Sequence, residues 1–401
     1  MRVSRKIPAT VGLFLVLSLP SPGLAQSLRD PVFMQKVQPA FDDIFNLDYD
    51  QADQILLALQ QAYPTHPAPP LYLGAIVWIR ELVRRQELDL DHFIAPGYFM
   101  KAKEPMPANL QKAFLDFVER SEALSKSIVA RNPADEDGQY FLASAYGIRA
   151  SYLFTVEHSL KASFSFGKQA YQIDRRLIQR DPKYYDAYMT VGLYEYIVGS
   201  IPWYIKWLAS IIGYQGSKER GFQYLDIAVN RGQYVSHEAG VVRSVLFVRE
   251  GRYADALRQI EALQKEFPRN YLFHLNVGQI FEKMSRWNEA VQVYQEVLNR
   301  AQSGIPNYNR IPMAELRNSV GDRFWHLGRR DLAEEQFRKV IGDPAAPERQ
   351  KAMSHLYLGQ LLDLEGKRSQ AVEQYELVLE LPDYNNSHAT AREFVRKPYR
   401  G

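Results

Sequence analysis

Cysteine is absent from all 401 residues. Its absence excludes disulfides, thiolate metal sites and a lipid-modified N-terminal cysteine, so packing alone must hold the fold. An excess of one charge is missing too. Of 49 Lys and Arg residues, three stand at Arg2, Arg5 and Lys6, leaving 46 basic against 46 acidic side chains in the rest. A chain with no net charge and no basic stripe has no electrostatic case for nucleic acid or an anionic membrane surface. Long apolar runs are scarce. Val11 to Leu19 is much shorter than the roughly 20 residues a membrane span needs. With basic residues before it, and Gly23 and Ala25 at the end of the breaker-rich Pro20 to Ala25, the segment 1–25 reads as a secretory signal cut after Ala25. The product is expected to be exported, periplasmic or secreted, and soluble.

Enzyme motifs are also lacking. The eight histidines contain no pair at helical spacing with an acid between, so no zinc-protease pattern arises. No serine is flanked by glycines at two-residue spacing. Gly213, Gly216, Ser217 and Lys218 have the wrong spacing and order for a phosphate loop, and Ser217 serves better as a helix N-cap. Asp322 and His326, four apart, read as an ordinary helix ion pair rather than an acid-base pair. The chain is therefore not expected to be an enzyme, and no catalytic, cofactor-binding or metal-binding residue is assigned.

What is present is a period. Ala256 and Pro268 stand twelve residues apart, Gly278 follows ten later and Ala290 twelve after that, a span of 34 from alanine to alanine. Tyr253 and Trp287 lie three before each alanine, Ile260 and Tyr294 four after, Phe247 and Phe281 nine before. Antiparallel helices need a small residue where they cross and a large one beside it. This period resembles the tetratricopeptide repeat, which implies an all-α solenoid of antiparallel helix pairs. The proline followed ten residues later by Gly or Ala recurs at Pro64 and Gly74, Pro133 and Ala143, and Pro182 and Gly192, with Ala52, Ser121 and Ala170 twelve before each proline. The first pair is predicted over Pro31 to Asn46 and Tyr49 to Tyr63. Beyond an insertion from Ser303 to Ile311, Gly321 with Ala333 and Gly359 with Ala371 continue the pattern, for about eight pairs.

The N-terminal half departs from regularity. Ala143 to Ala170 is 27 residues where about twelve suffice, and the excess is close to one added heptad per helix, predicting a long hairpin. Between Gly74 and Ser121 an acidic stretch and Pro96 to Pro107 predict a structured loop. Ile197 to Tyr214 has Lys206 as its only charge; a helix from Pro202 would place Trp203, Trp207, Ile211 and Tyr214 on one side. Such a segment is either buried in the superhelix or a docking surface. The residues Gly192, Tyr194, Tyr196, Gly199, Ile201, Pro202, Gly213, Gly216 and Glu219-Arg220-Gly221 look like the tetratricopeptide repeat 39 and inclusion body clearance family, which implies interaction rather than catalysis. The divisions are a signal over 1–25, a long-hairpin region over 26–236 with the insertion 197–214, regular repeats over 237–383, and a polar tail over 384–401.

In such repeats the first helix of each pair lines an inner groove. The candidate partner-binding residues are Met189, Leu193, Tyr196, Val245, Leu275, Gln279, Glu282, Asn318, Asp322 and Trp325, with Trp203, Trp207 and Tyr214 from the insertion. The expected function is a scaffold for a protein or peptide partner in the cell envelope. The alternative is peripheral membrane docking through 197–214.

Overall fold

The computed structural model describes residues 28–85, 87–88, 104–200, 216–384 and 386–401. The proposed signal, the proline-rich stretch up to residue 103, and Trp203, Trp207 and Tyr214 lie outside the described residues. Those described contain seventeen α-helices and no strand. In chain order these are α1 (Pro31–Phe45), α2 (Tyr49–Ala62), α3 (Ala68–Arg84), α4 (Ala108–Arg131), α5 (Glu136–Thr155), α6 (Leu160–Arg180), α7 (Ala187–Gly199), α8 (Lys218–Arg231) and α9 (Ser236–Arg249). Then follow α10 (Tyr253–Glu266), α11 (Tyr271–Lys283), α12 (Trp287–Gln302), α13 (Met313–His326), α14 (Arg330–Ile341), α15 (Glu348–Leu364), α16 (Arg368–Glu380) and α17 (Ser387–Arg396). Consecutive helices pack on one another, so α1 to α16 form eight antiparallel pairs and α17 closes the end of the stack. The expected all-α helix-pair solenoid is what the chain forms.

The pairing follows from residue size. Ala52, Ser121, Ala170, Ala256, Ala290, Ala333 and Ala371 are each 0% exposed. Their partners in the first helices leave no room for a side chain. A Cβ on Gly278 would lie 2.5 Å from the Tyr294 ring, on Gly321 2.7 Å from Phe337, and on Gly359 2.5 Å from Tyr375. In the fourth pair the approach is backbone on backbone, with a Cβ on Gly192 only 2.9 Å from the Gly221 carbonyl oxygen. The turns inside three of the pairs use glycine in the left-handed region, Gly251, Gly328 and Gly366 at φ near 70 to 75°. The heptad excess is realised in α5 and α6, 20 and 21 residues long, against 13 and 16 in α11 and α12. The backbone at Gly216 lies against that at Gly199.

Gly147 lies within α5 and a Cβ there would meet nothing within 4 Å. Gly147→Ala should therefore raise stability by about 0.5 to 1 kcal/mol through helix propensity. Gly278→Ala should lower it by about 1 to 3 kcal/mol, because the buried Tyr294 ring cannot yield. Urea denaturation of the two variants checks both signs.

Candidate functional site

The first described residues of the chain run along the junctions between its helix pairs. Residues 28–48 run past five successive junctions between pairs. At the first, the Leu28 amide donates to Asp137 Oδ2 at 3.0 Å, and Tyr184 donates to the other oxygen of that carboxylate. At the second, the Arg29 guanidinium donates to Asp186 Oδ2 at 2.8 Å and lies over the Tyr184 ring. At the third, the Leu28 carbonyl accepts from Tyr234 Oη at 2.8 Å, and Phe41 meets the Tyr72 and Tyr234 rings. At the fourth, Phe45 stacks on Phe267 at 5.2 Å while Arg269 pairs with Asp48 and Asn270 donates to the Phe45 carbonyl. At the fifth, Asn307 donates to the Asn46 carbonyl and to Asp48 Oδ1.

Asp186 is the joint of this arrangement. Its side chain is wholly buried. One oxygen takes the Arg29 guanidinium, while the other accepts the backbone amides of Gln233, Tyr234 and Val235 at the entry to α9. Burial raises its carboxyl above the ordinary value, against the opposing pull of Arg29 and these amides. His66 is held neutral nearby. Burial pushes it down to about 4, its Nδ1 accepts from the Ala68 amide, and its Nε2 therefore donates to the Leu28 carbonyl.

Asp137, Asp186 and Glu238 each stand six residues before Ala143, Gly192 and Ser244, at the N-terminal ends of the first helices of three successive pairs. The first two are engaged by the arm. Glu238 is half-buried near Tyr72, and burial pushes its carboxyl up to about 7. Asp174, fully buried in α6, is shifted upward by the same cause.

A second pattern lies four residues past each crossing glycine of the regular repeats. In the sixth and eighth pairs that place holds an acid, and the crossing tyrosine reaches back to it, Tyr294 to Glu282 and Tyr375 to Asp363 at 2.9 Å. In the seventh pair the crossing residue is Phe337, which has no hydroxyl to give, and Trp325 stands where the acid would be.

The sequence candidates distribute unevenly. Tyr196, Gln279 and Asn318 are buried within the stack and are not groove surface. Tyr196 donates to Glu250, and Asn318 donates to the Gln350 carbonyl and accepts from Ser354, joining α13 to α15. These contacts between neighbouring first helices are longer-range than a repeat template describes, which is why the inward numbering misplaced them. Met189 and Leu193 pack with Phe222, Leu225 and Val242, while Val245 and Leu275 pack against the second core. Glu282 receives Arg323 from α13 as well as Tyr294. Asp322 and Trp325 keep half-exposed surface, with His326 beside them, Asp322 to His326 at 3.5 Å and Trp325 stacked on the imidazole. The arm at 28–48 was missed. Its acids stand 49 and 52 residues apart because the long hairpins break the period, so no regular spacing exposed them. Among the described residues no group of acids and histidines could hold a metal ion, and no helix is long and apolar enough to cross a membrane.

This geometry defines a helical-repeat solenoid. Residues 243–305 match the tetratricopeptide repeat family, and the two pairs that follow repeat the same crossing of a glycine beneath an aromatic ring. No curated protein matches the chain. Among solved structures it is similar to a human IFIT1 dimer with m7Gppp-AAAA, at 12% identity over 92% of this chain and 86% of that one, with a TM-score of 0.39. It is similar to yeast Tom70 at 11% identity over 92% and 88%, with 0.35. A tetratricopeptide repeat protein from Parabacteroides merdae matches at 15% over 80% and 97%, with 0.32. At that level of likeness nothing of their ligands carries to this chain.

Two outcomes follow for the arm and its acids. Arg29→Ala leaves the Asp186 carboxylate buried with amides alone and should cost about 2 to 4 kcal/mol in urea denaturation. Glu238 binds its proton more tightly folded than unfolded, since its value rises from 4.5 to about 7. Its contribution is intact below pH 4.5 and is lost as pH rises through 7. Glu238→Gln should therefore stabilise by about 1 to 3 kcal/mol at pH 8 and by little at pH 4, in urea melts across that range.

Proposed function

We propose that the chain is an exported, non-enzymatic scaffold that binds a protein or peptide partner in the cell envelope. The observation that carries the reading is the half-exposed pair Asp322 and Trp325 beside exposed His326, on a stack where Tyr196, Gln279 and Asn318 are spent on packing. Aromatic residues with a polar neighbour on a rigid face are the chemistry of protein recognition. Export rests on the sequence of 1–25 and the absence of cysteine. The balanced charge argues against nucleic acid. The insertion 197–214 would add a second contact surface, with half-exposed Ile197 at its base.

Capture from envelope extracts on the immobilised mature protein tests this. The wild type should retain a partner that Trp325→Ala, or Trp203→Ser with Trp207→Ser, releases while the protein stays folded by circular dichroism. Retention of nothing specific overturns the reading. Flotation of the wild type with liposomes, lost in the double variant, would establish the membrane alternative instead.

A further inference from the structure

The last residues of the chain lie on the strip just described. After α17 the chain turns back in extended form, and the Tyr399 amide donates to Asp363 Oδ2 at 2.8 Å. The Tyr399 ring stands edge-on to Trp325 at 5.9 Å and to Phe394 at 5.3 Å. Arg368 sets up the turn. It pairs with Asp363 at 3.0 Å and donates to the Phe394 and Val395 carbonyls at the end of α17. The receiving carboxylate is therefore fixed by Arg368 and Tyr375 before the tail arrives. Only Tyr399 is engaged. Lys397, Pro398, Arg400 and Gly401 on either side are exposed.

From this occupant we infer that the Trp325–Asp363–Phe394 site binds an extended partner segment carrying an aromatic residue, and that the chain's own tail holds it closed. The inference rests on the scaffold reading above and names its partner chemistry. The ring enters between Trp325 and Phe394, and one main-chain N–H meets Asp363. The tail has the advantage of tethering. A short flexible connection gives an effective concentration on the order of millimolar, so a partner must exceed that to displace it. Its few contacts keep the exchange possible.

The test uses a fluorescein-labelled peptide Arg-Lys-Pro-Tyr-Arg-Gly and fluorescence anisotropy. A chain ending at Arg396 should bind it saturably, and the full-length chain at least tenfold more weakly. Full-length Tyr399→Ala, which keeps the whole backbone, should bind like the shortened chain. Trp325→Ala in the shortened chain should lose binding at least tenfold with its thermal midpoint little changed. The inference is overturned if neither the shortened chain nor Tyr399→Ala binds, or if the full-length protein binds equally well. A concentration-dependent dimer that disappears on shortening would overturn it also, since the occupant would then be the tail of a second copy. The assay needs no natural partner, so its failure leaves the scaffold reading standing, and an empty capture from extracts leaves the peptide result standing.

Discussion

The constraint on which the structure depends is how closely two helices can approach. A pair joined at Gly192 and Gly221, or at Gly359 beneath Tyr375, has no space for one more carbon. Close approach lets each pair bury its apolar stripe on a single partner and present another to the next pair. It also orders the polar chemistry. Because the crossing tyrosine lies flat across a glycine, its hydroxyl emerges at a fixed point beyond it, where an acid four residues on can accept. The exchange of Tyr for Phe and of acid for Trp in the seventh pair keeps that rule. A site of different character appears there without any change in backbone.

Repeats of this kind contact only their neighbours, and nothing in a pairwise stack fixes its curvature from end to end. Here the first residues supply that restraint. Asp186 joins three separated parts of the chain, and the Asn46 to Asp48 turn is tied as far along as Asn307. The groove candidates Met189, Leu193 and Tyr196 are spent on packing within the stack, in the cluster of Phe222 and Leu225. At the far end Asp322 and Trp325 keep half-exposed polar and aromatic surface. The segment 28–48 is thus bound through many buried contacts and the last residues through one aromatic residue.

Fold was legible in the sequence to the extent that it is local. The first pair was expected over Pro31 to Asn46 and Tyr49 to Tyr63 and forms at Pro31–Phe45 and Tyr49–Ala62, because proline, turn residues and small crossings all act within one period. The added heptads of α5 and α6 were legible for the same reason. The site was less so. Tyr196 and Asn318 carry the residue types of a binding groove, yet their partners, Glu250 and Gln350, come from other helices at distances the period does not encode. Arg29 and Asp186 are 157 residues apart, and neither is unusual where it stands. Trp325 was legible as an inward aromatic, but Tyr399 as its occupant was not, since a tail has no periodicity to read.

The route of residues 28–48 bears on how the molecule is made. This helix leaves the ribosome first, while Asn307, its most distant contact, follows more than 250 residues later. At about 5 to 20 residues per second that interval is on the order of tens of seconds. Until Tyr234 and Phe267 follow, Phe41 and Phe45 lack part of their final contacts, although α1 already has α2 and Tyr72 to pack on. A chaperone that shields this stretch would act at the point of greatest need, and the earliest of the described helices is among the last to be completed.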